Sequence, residues 1–116
     1  MADPFLGEIK AFGFSFAPRG WANCDGQMMP LSQNTALYAL LGTQYGGNGK
    51  NTFALPDLRG RMVLGRGSAN GTDFKQGAES SFVSSETTSV PVDEKSYGTL
   101  GVNFCIAIQG WFPQRA

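Results

Sequence analysis

The chain contains no histidine and only two cysteines, Cys24 and Cys105, among its 116 residues. The first absence removes the commonest general base and the commonest metal ligand. The second leaves too few thiols for a structural zinc site. The two cysteines could close one disulfide or remain buried thiols, and their separation in sequence does not choose between these. Charge of either sign is also not in excess. Nine Lys and Arg balance nine Asp and Glu, so no global field draws the protein to nucleic acid or to an anionic membrane. No apolar run approaches a membrane span, so membrane insertion is not expected. The start, MADPFLGEIKAFGFSF, has no basic stretch followed by an apolar one and does not read as a Sec signal. The expectation is a protein made in the cytoplasm that, if it leaves, leaves by another route.

Glycine, by contrast, is abundant, at 16 residues without a collagen-like period, which implies many tight turns. Strand signals agree. Phe12, Phe14 and Phe16 alternate with Gly13 and Ser15, a period of two with one apolar face. A longer alternation runs through Leu100, Val102, Phe104, Ile106 and Ile108. The small residues between them, including Cys105 and Ala107, predict a second face that is also closely covered. Asp25-Gly26 suits a tight hairpin turn. One helix is expected over about 32–41, with Ser32 as N-cap, Leu37, Leu40 and Leu41 as its apolar stripe, and Gly42 as its stop. Residues 68–89 are polar and read as an exposed hairpin or a mobile loop anchored by Phe74 and Phe82. No repeat or linker divides the chain, and its length suits one domain.

Candidate chemistry is sparse. YGGNGKNT, Tyr45–Thr52, superficially suggests a phosphate loop, but Gln44 stands where the first glycine is required and Asn51 where Ser or Thr is required. A wide turn needing glycine dihedrals is the better reading. Of the carboxylates, Asp25 and Asp57 fall in well-patterned segments. Asp25 is explained by turn chemistry, and arginines beside Asp57 would keep it ionised, which is unsuitable for a general acid. Ser-His catalysis is excluded without histidine. No enzyme and no cofactor are therefore expected. Trp21 and Trp111, with Phe112, Tyr38, Tyr45 and Tyr97, could stack on sugars, but tryptophans flanking strands more often belong to a core or a subunit interface.

The stretch TFALPDLRGRMVLGRG concentrates Asp57, Arg59 and Arg61 at alternating positions. In an extended segment they would share one face, forming a local ion-pair latch or a subunit contact.

These residues also carry a resemblance. CDGQMMPLSQNTALYALLGTQYGGNGKNTFALPDLRGRMVLGRG closely resembles the phage tail collar domain, with its DGQ, LLG, YGG and LPDLRGR signatures. PFLGEIKAFGFSFAPRGWANCDGQ resembles the start of free-standing bacterial members, often called microcystin-dependent proteins, and LGVNFCIAIQGWFPQRA is similar to their C-terminal strand. The match covers roughly 4–67 and 99–115, and its reaching both ends suggests a whole chain. It implies an α+β, mostly β domain over 1–116. A collar core is expected at 7–67, a variable segment at 68–98 and a core strand at 99–113. It also implies a structural protein of phage tails or tail-like assemblies, associated with itself as a homotrimer or a head-to-tail filament. The place would be a virion or the cell surface, with a cell-surface glycan or receptor as a further partner. The runner-up is a secreted or surface carbohydrate-binding module. Members usually carry a longer, often histidine-containing insert, whereas residues 68–99 here are short and without histidine. No fibre-shaft repeat precedes the domain. A lone domain of this type could cap another structure or polymerise, depending on whether its contact closes.

Overall fold

The computed structural model describes residues 3–69, 71–79 and 99–115. Its centre is the C-terminal strand β7, Asn103–Ala107. The strand β1, Ile9–Phe12, pairs antiparallel along one edge of β7, and β2, Trp21–Asn23, along the other. Ile9 and Ala22 both lie across from Ile106, while Trp21 lies across from Ala107 and Asn23 across from Cys105. Because side chains alternate, Ala22 and Ile106 turn to one face with Phe104. Lys10, Phe12, Trp21, Asn23, Asn103, Cys105 and Ala107 turn to the other.

The first face carries the core. Leu6, Ala22, Cys24, Leu37, Phe53, Leu55 and Ile106 are buried there, with Met29, Leu31, Leu58 and Phe104 packed around them. The second face is closed over Cys105 and Ala107, both fully buried. Residue size explains this closure: Trp21 sits on Ala107, meets Phe12 edge to face at 5.1 Å, and has the Lys10 ammonium 5.8 Å from its ring centre. The small residues of the alternating pattern thus leave room for large neighbours.

The alternation itself is shorter than expected. Leu100 and Val102 precede β7 and are exposed. Similarly, β1 ends at Phe12, and Phe14 and Phe16 follow in a bend. The three phenylalanines stay together, with ring centres 5.0 and 4.8 Å apart, but as a surface row rather than a buried strand face.

A second pair of strands, β3 (Met28–Pro30) and β4 (Thr52–Ala54), is antiparallel, with Met28 opposite Ala54 and Pro30 opposite Thr52. Asp25-Gly26 is therefore not a hairpin turn. β2 pairs with β7 and β3 with β4, so Asp25-Gly26 lies where the chain crosses from one sheet to the other. β7 and β4 between them take the hydrogen bonds that a hairpin would have exchanged internally.

The helix α1 covers Thr35–Leu41, preceded by one 3₁₀ turn over Leu31–Gln33. Ser32 falls inside that turn, and Asn34 occupies the N-cap position. Asn34 Nδ2 donates to the Pro30 carbonyl at 2.9 Å, which ties the cap back to the end of β3. Gly42, with φ of 60°, ends the helix as expected, its N–H donating to Tyr38 O at 2.7 Å. Leu37 inserts into the core, and Leu40 and Leu41 pack at its margin. Seven residues make too short a helix to persist alone, so this burial is what holds it. A small hairpin of β5 (Gly67–Ala69) and β6 (Thr72–Phe74) follows the core. The rest of the expected variable segment, with Phe82 and Tyr97, lies outside the described residues. Among the described residues the fold is thus mostly antiparallel strand with one short helix.

Candidate functional site

The segment from Phe53 to Asp57 runs antiparallel past the sheet crossover. Leu55 N–H donates to Gln27 O at 3.0 Å, Gly26 N–H to Pro56 O at 3.2 Å, and Leu58 N–H to Cys24 O at 2.9 Å. Asp25 and Asp57 are bridge partners between them. Phe53, Leu55 and Pro56 are buried, so the LPD stretch is core up to its aspartate. Gly26 is required here on two counts: its φ is 78°, and a Cβ would lie 3.3 Å from that of Asp57.

Two acids brought face to face need a counter-charge, and Arg59 supplies it. Its Nε and Nη2 donate to Asp57 Oδ1 and Oδ2 at 2.9 and 2.8 Å, a two-point contact. The Arg59 backbone N–H adds a third bond, to Oδ1 at 3.2 Å. These bonds, side chain first, lower the Asp57 pKa to about 2. Asp57 has 27% of its side chain exposed and Arg59 71%, so the pair sits at the surface and locks a turn rather than a core.

Arg61 makes no hydrogen bond to Asp57 among the described residues, and its charge adds only the smallest of the influences that lower the Asp57 pKa. The chain turns after Leu58, with Arg61 N–H donating to Leu58 O at 3.1 Å and Gly60 at φ of 65°. Arg61 then pairs with Glu79 at 3.2 Å. Arg61 thus bonds a different partner from Arg59, because the segment turns here instead of staying extended.

The loop between α1 and β4 accounts for the glycines of YGGNGKNT. Asn48 Oδ1 accepts from the backbone N–H groups of Lys50, Asn51 and Thr52 at 2.8, 3.0 and 3.1 Å. A phosphate loop would offer such donors to a ligand; here one amide oxygen takes all three. Gly47 passes so close to β4 that a Cβ would strike Phe53 Cα and lie 2.7 Å from Thr52 O.

Cys24 and Cys105 are free and buried. The register sets Cys105 opposite Asn23, so Cys24, the next residue, turns to the other face. Cys105 Sγ contacts Asn23 Oδ1 at 3.6 Å, and Asn103 Nδ2 donates to Asn23 Oδ1 at 3.1 Å. Burial, then the neighbouring Cys105 and Asp25, pushes the Cys24 pKa up to about 12. Burial raises that of Cys105 as well. Neither thiol is suited to nucleophilic work.

The aromatic candidates separate. Trp21 covers the second sheet face. Trp111 is 65% exposed, Phe112 47% and Phe5 58%. Phe5 and Trp111 are joined by a parallel bridge, with Leu6 N–H donating to Trp111 O at 2.8 Å and Trp111 N–H to Pro4 O at 3.0 Å. The two chain ends thus run side by side and carry three aromatics outward. Of the two tryptophans expected in a core or a subunit interface, Trp21 packs on the sheet and Trp111 stands at the surface; Phe5 had no periodic signal to mark it.

No helix among the described residues is long and apolar enough to cross a membrane. A comparison with curated proteins finds no match. Residues 7–63 match the family model of the phage tail collar domain. That span begins just before β1 and takes in the crossover, α1, the Asn48 loop, β4 and the Asp57–Arg59 turn. Residues 7–63 accordingly form a phage tail collar domain, a structural phage-tail family.

Proposed function

We propose that the protein is a structural subunit that associates with copies of itself through its paired chain ends. The observation that carries this is the exposure of Phe5, Trp111 and Phe112 where the two terminal segments are hydrogen-bonded to each other. Single exposed apolar residues are ordinary on a protein surface. Three large exposed aromatics on mutually bonded segments offer apolar surface of the kind a subunit contact uses. The backbone that carries them is already paired before association, which lowers the ordering cost of the contact.

Whether this contact closes decides the product. A contact that closes about three chains gives a trimer, and a head-to-tail contact that does not close gives a filament. Both suit a subunit of a phage tail or of a phage-derived assembly at a cell surface. The protein acts in this reading by geometry and not by catalysis.

The test is Trp111→Glu, followed by light scattering and negative-stain electron microscopy. The expected result is a shift from a discrete oligomer or fibre to monomers with unchanged circular dichroism. A particle size equal to that of the parent would overturn the reading. Deletion of residues 1–8 is a poorer test, because Leu6 is in the core and the Glu8 carbonyl accepts from Ala107 N–H.

A further inference from the structure

The central strand of the three-stranded sheet comes last in the chain, between β1 and β2. The chain leaves the core at the Asp57–Arg59 turn and sets out toward that strand along an exposed connection. Residues 59–68 are exposed without interruption. Among the described residues, no hydrogen bond engages the backbone of residues 62–66, and no helix or strand includes them. A Cβ added at Gly60, Gly65 or Gly67 would meet nothing within 4 Å. The connection therefore stands clear of the body of the protein.

Backbone of this kind is what an endoprotease requires. The enzyme takes its substrate as an extended segment through main-chain N–H and C=O groups, which must be unpaired and accessible. The arginines from Arg19 to Arg66 differ in this respect. Arg19 precedes Gly20, whose carbonyl accepts from Ile108 and Gln109 N–H at 2.8 and 3.2 Å. Arg59 is held by both carboxylate oxygens of Asp57. Arg61 pairs with Glu79, follows a left-handed glycine and donates its own N–H to Leu58 O. Arg66 has no ion pair and no hydrogen bond among the described residues, and the backbone of Val63, Leu64 and Gly65 before it is equally unpaired. Gly67 after it enters the hairpin of β5 and β6, and two strands alone are a weak unit of sheet.

We propose that the Arg66–Gly67 peptide bond is a processing site for an arginine-directed endoprotease, and that its product is a two-chain protein that stays folded. Hydrolysis adds one water across the bond. The Arg66 carbonyl carbon takes the hydroxyl and the Gly67 nitrogen takes the hydrogen, which leaves a carboxyl and an amino terminus and needs no oxidant or cofactor. The product of residues 1–66 keeps β1 to β4, α1 and the Asp57–Arg59 turn, and that of residues 67–116 keeps β7. Cys105, Ile106 and Ala107 are fully buried, and β7 is paired along both edges, so the second product remains in place. Cleavage unties the β5–β6 hairpin from the Asp57–Arg59 turn without dismantling the sheet. The site does not involve Phe5, Trp111 or Phe112 and is independent of the self-association reading.

The experiment is brief digestion of the full chain, in native buffer, with an endoprotease that cuts after arginine and not after lysine. Intact-mass spectrometry follows the cut, and size-exclusion chromatography with circular dichroism follows the product. The first internal cut is expected after Arg66. The two products should co-elute with the circular dichroism of the parent and separate only in urea. Arg66→Gln is expected to slow the first cut by about tenfold or more, and Arg19→Gln to leave its rate unchanged. A first internal cut after Arg19, Arg59 or Arg61 overturns the proposal. So does a chain that is cut only once its core unfolds, or a pair of products that separate without denaturant.

Discussion

Arg59 grips both carboxylate oxygens of Asp57 through its side chain, at 2.8 and 2.9 Å, and one of them again through its backbone N–H. The acid is held at the point where the chain leaves the core, directly across from Asp25. The pair therefore defines the exit direction of the segment that follows, although it contributes no buried charge.

That geometry has a measurable titration. The Asp57 carboxyl is lowered from 3.8 to about 2, chiefly by the Arg59 side-chain bonds. A depressed folded pKa stabilises the native state above the unfolded pKa, and that contribution is lost as pH falls from 3.8 toward 2. Carboxyl-detected NMR should place the midpoint near 2 in the parent chain. In Arg59→Ala it should return toward the ordinary aspartate range, and an unmoved midpoint would show that Arg59 is not the cause. Because Arg59 is mostly exposed, stability at neutral pH should change little.

Gly47 should not tolerate a side chain. Its φ is 94°, and an added Cβ would run into the backbone of Phe53 and Thr52. Gly47→Ala is expected to cost about 2 kcal/mol or more, from dihedral strain and the forced shift of β4. Urea denaturation at fixed protein concentration measures this. Gly65→Ala serves as the control, since open space surrounds that position.

Leu37 is the residue through which α1 is fixed to the sheets. It is 1% exposed and lies among Leu6, Phe53, Leu55 and Ile106. Leu37→Ala should destabilise by about 2–5 kcal/mol, by lost transfer energy plus the cavity left behind. Helical circular dichroism should be lost together with the core signal in one transition. Loss of the helix alone would mean that α1 is only loosely attached.

The two thiols should be inert in the native protein. Both are buried with raised pKa values, Cys24 to about 12. Iodoacetamide at pH 8 should label neither until denaturant is added, and non-reducing mass spectrometry should find both in the free form. Rapid native labelling would indicate opening of the β2–β7 edge.

Much of the architecture is legible in local chemistry. Gly42 stops the helix because a left-handed residue was needed there, and Leu37 is core because its stripe has helical spacing. The small residues of β7 announce a crowded second face. Other features depend on partners distant in the chain. The Asp25-Gly26 pair has hairpin chemistry, but which strands it joins depends on who offers hydrogen bonds, and β7 and β4 do so from about 80 and 30 residues away. Arg61 alternates with Asp57 and Arg59, yet the turn at Gly60 sends it to Glu79.

Taken by itself, the amino-acid sequence determined the short-range features: helix stop, glycine turns, apolar stripes, the absence of histidine chemistry and the collar motifs. These rest on dihedral preference and on residue type, which neighbours a few positions away specify. Tertiary structure alone decided strand pairing, the exposure of Trp111 against the covering role of Trp21, and the facing of Cys24 away from Cys105. Those follow from register, and a register is a property of two segments that the chain brings together only on folding.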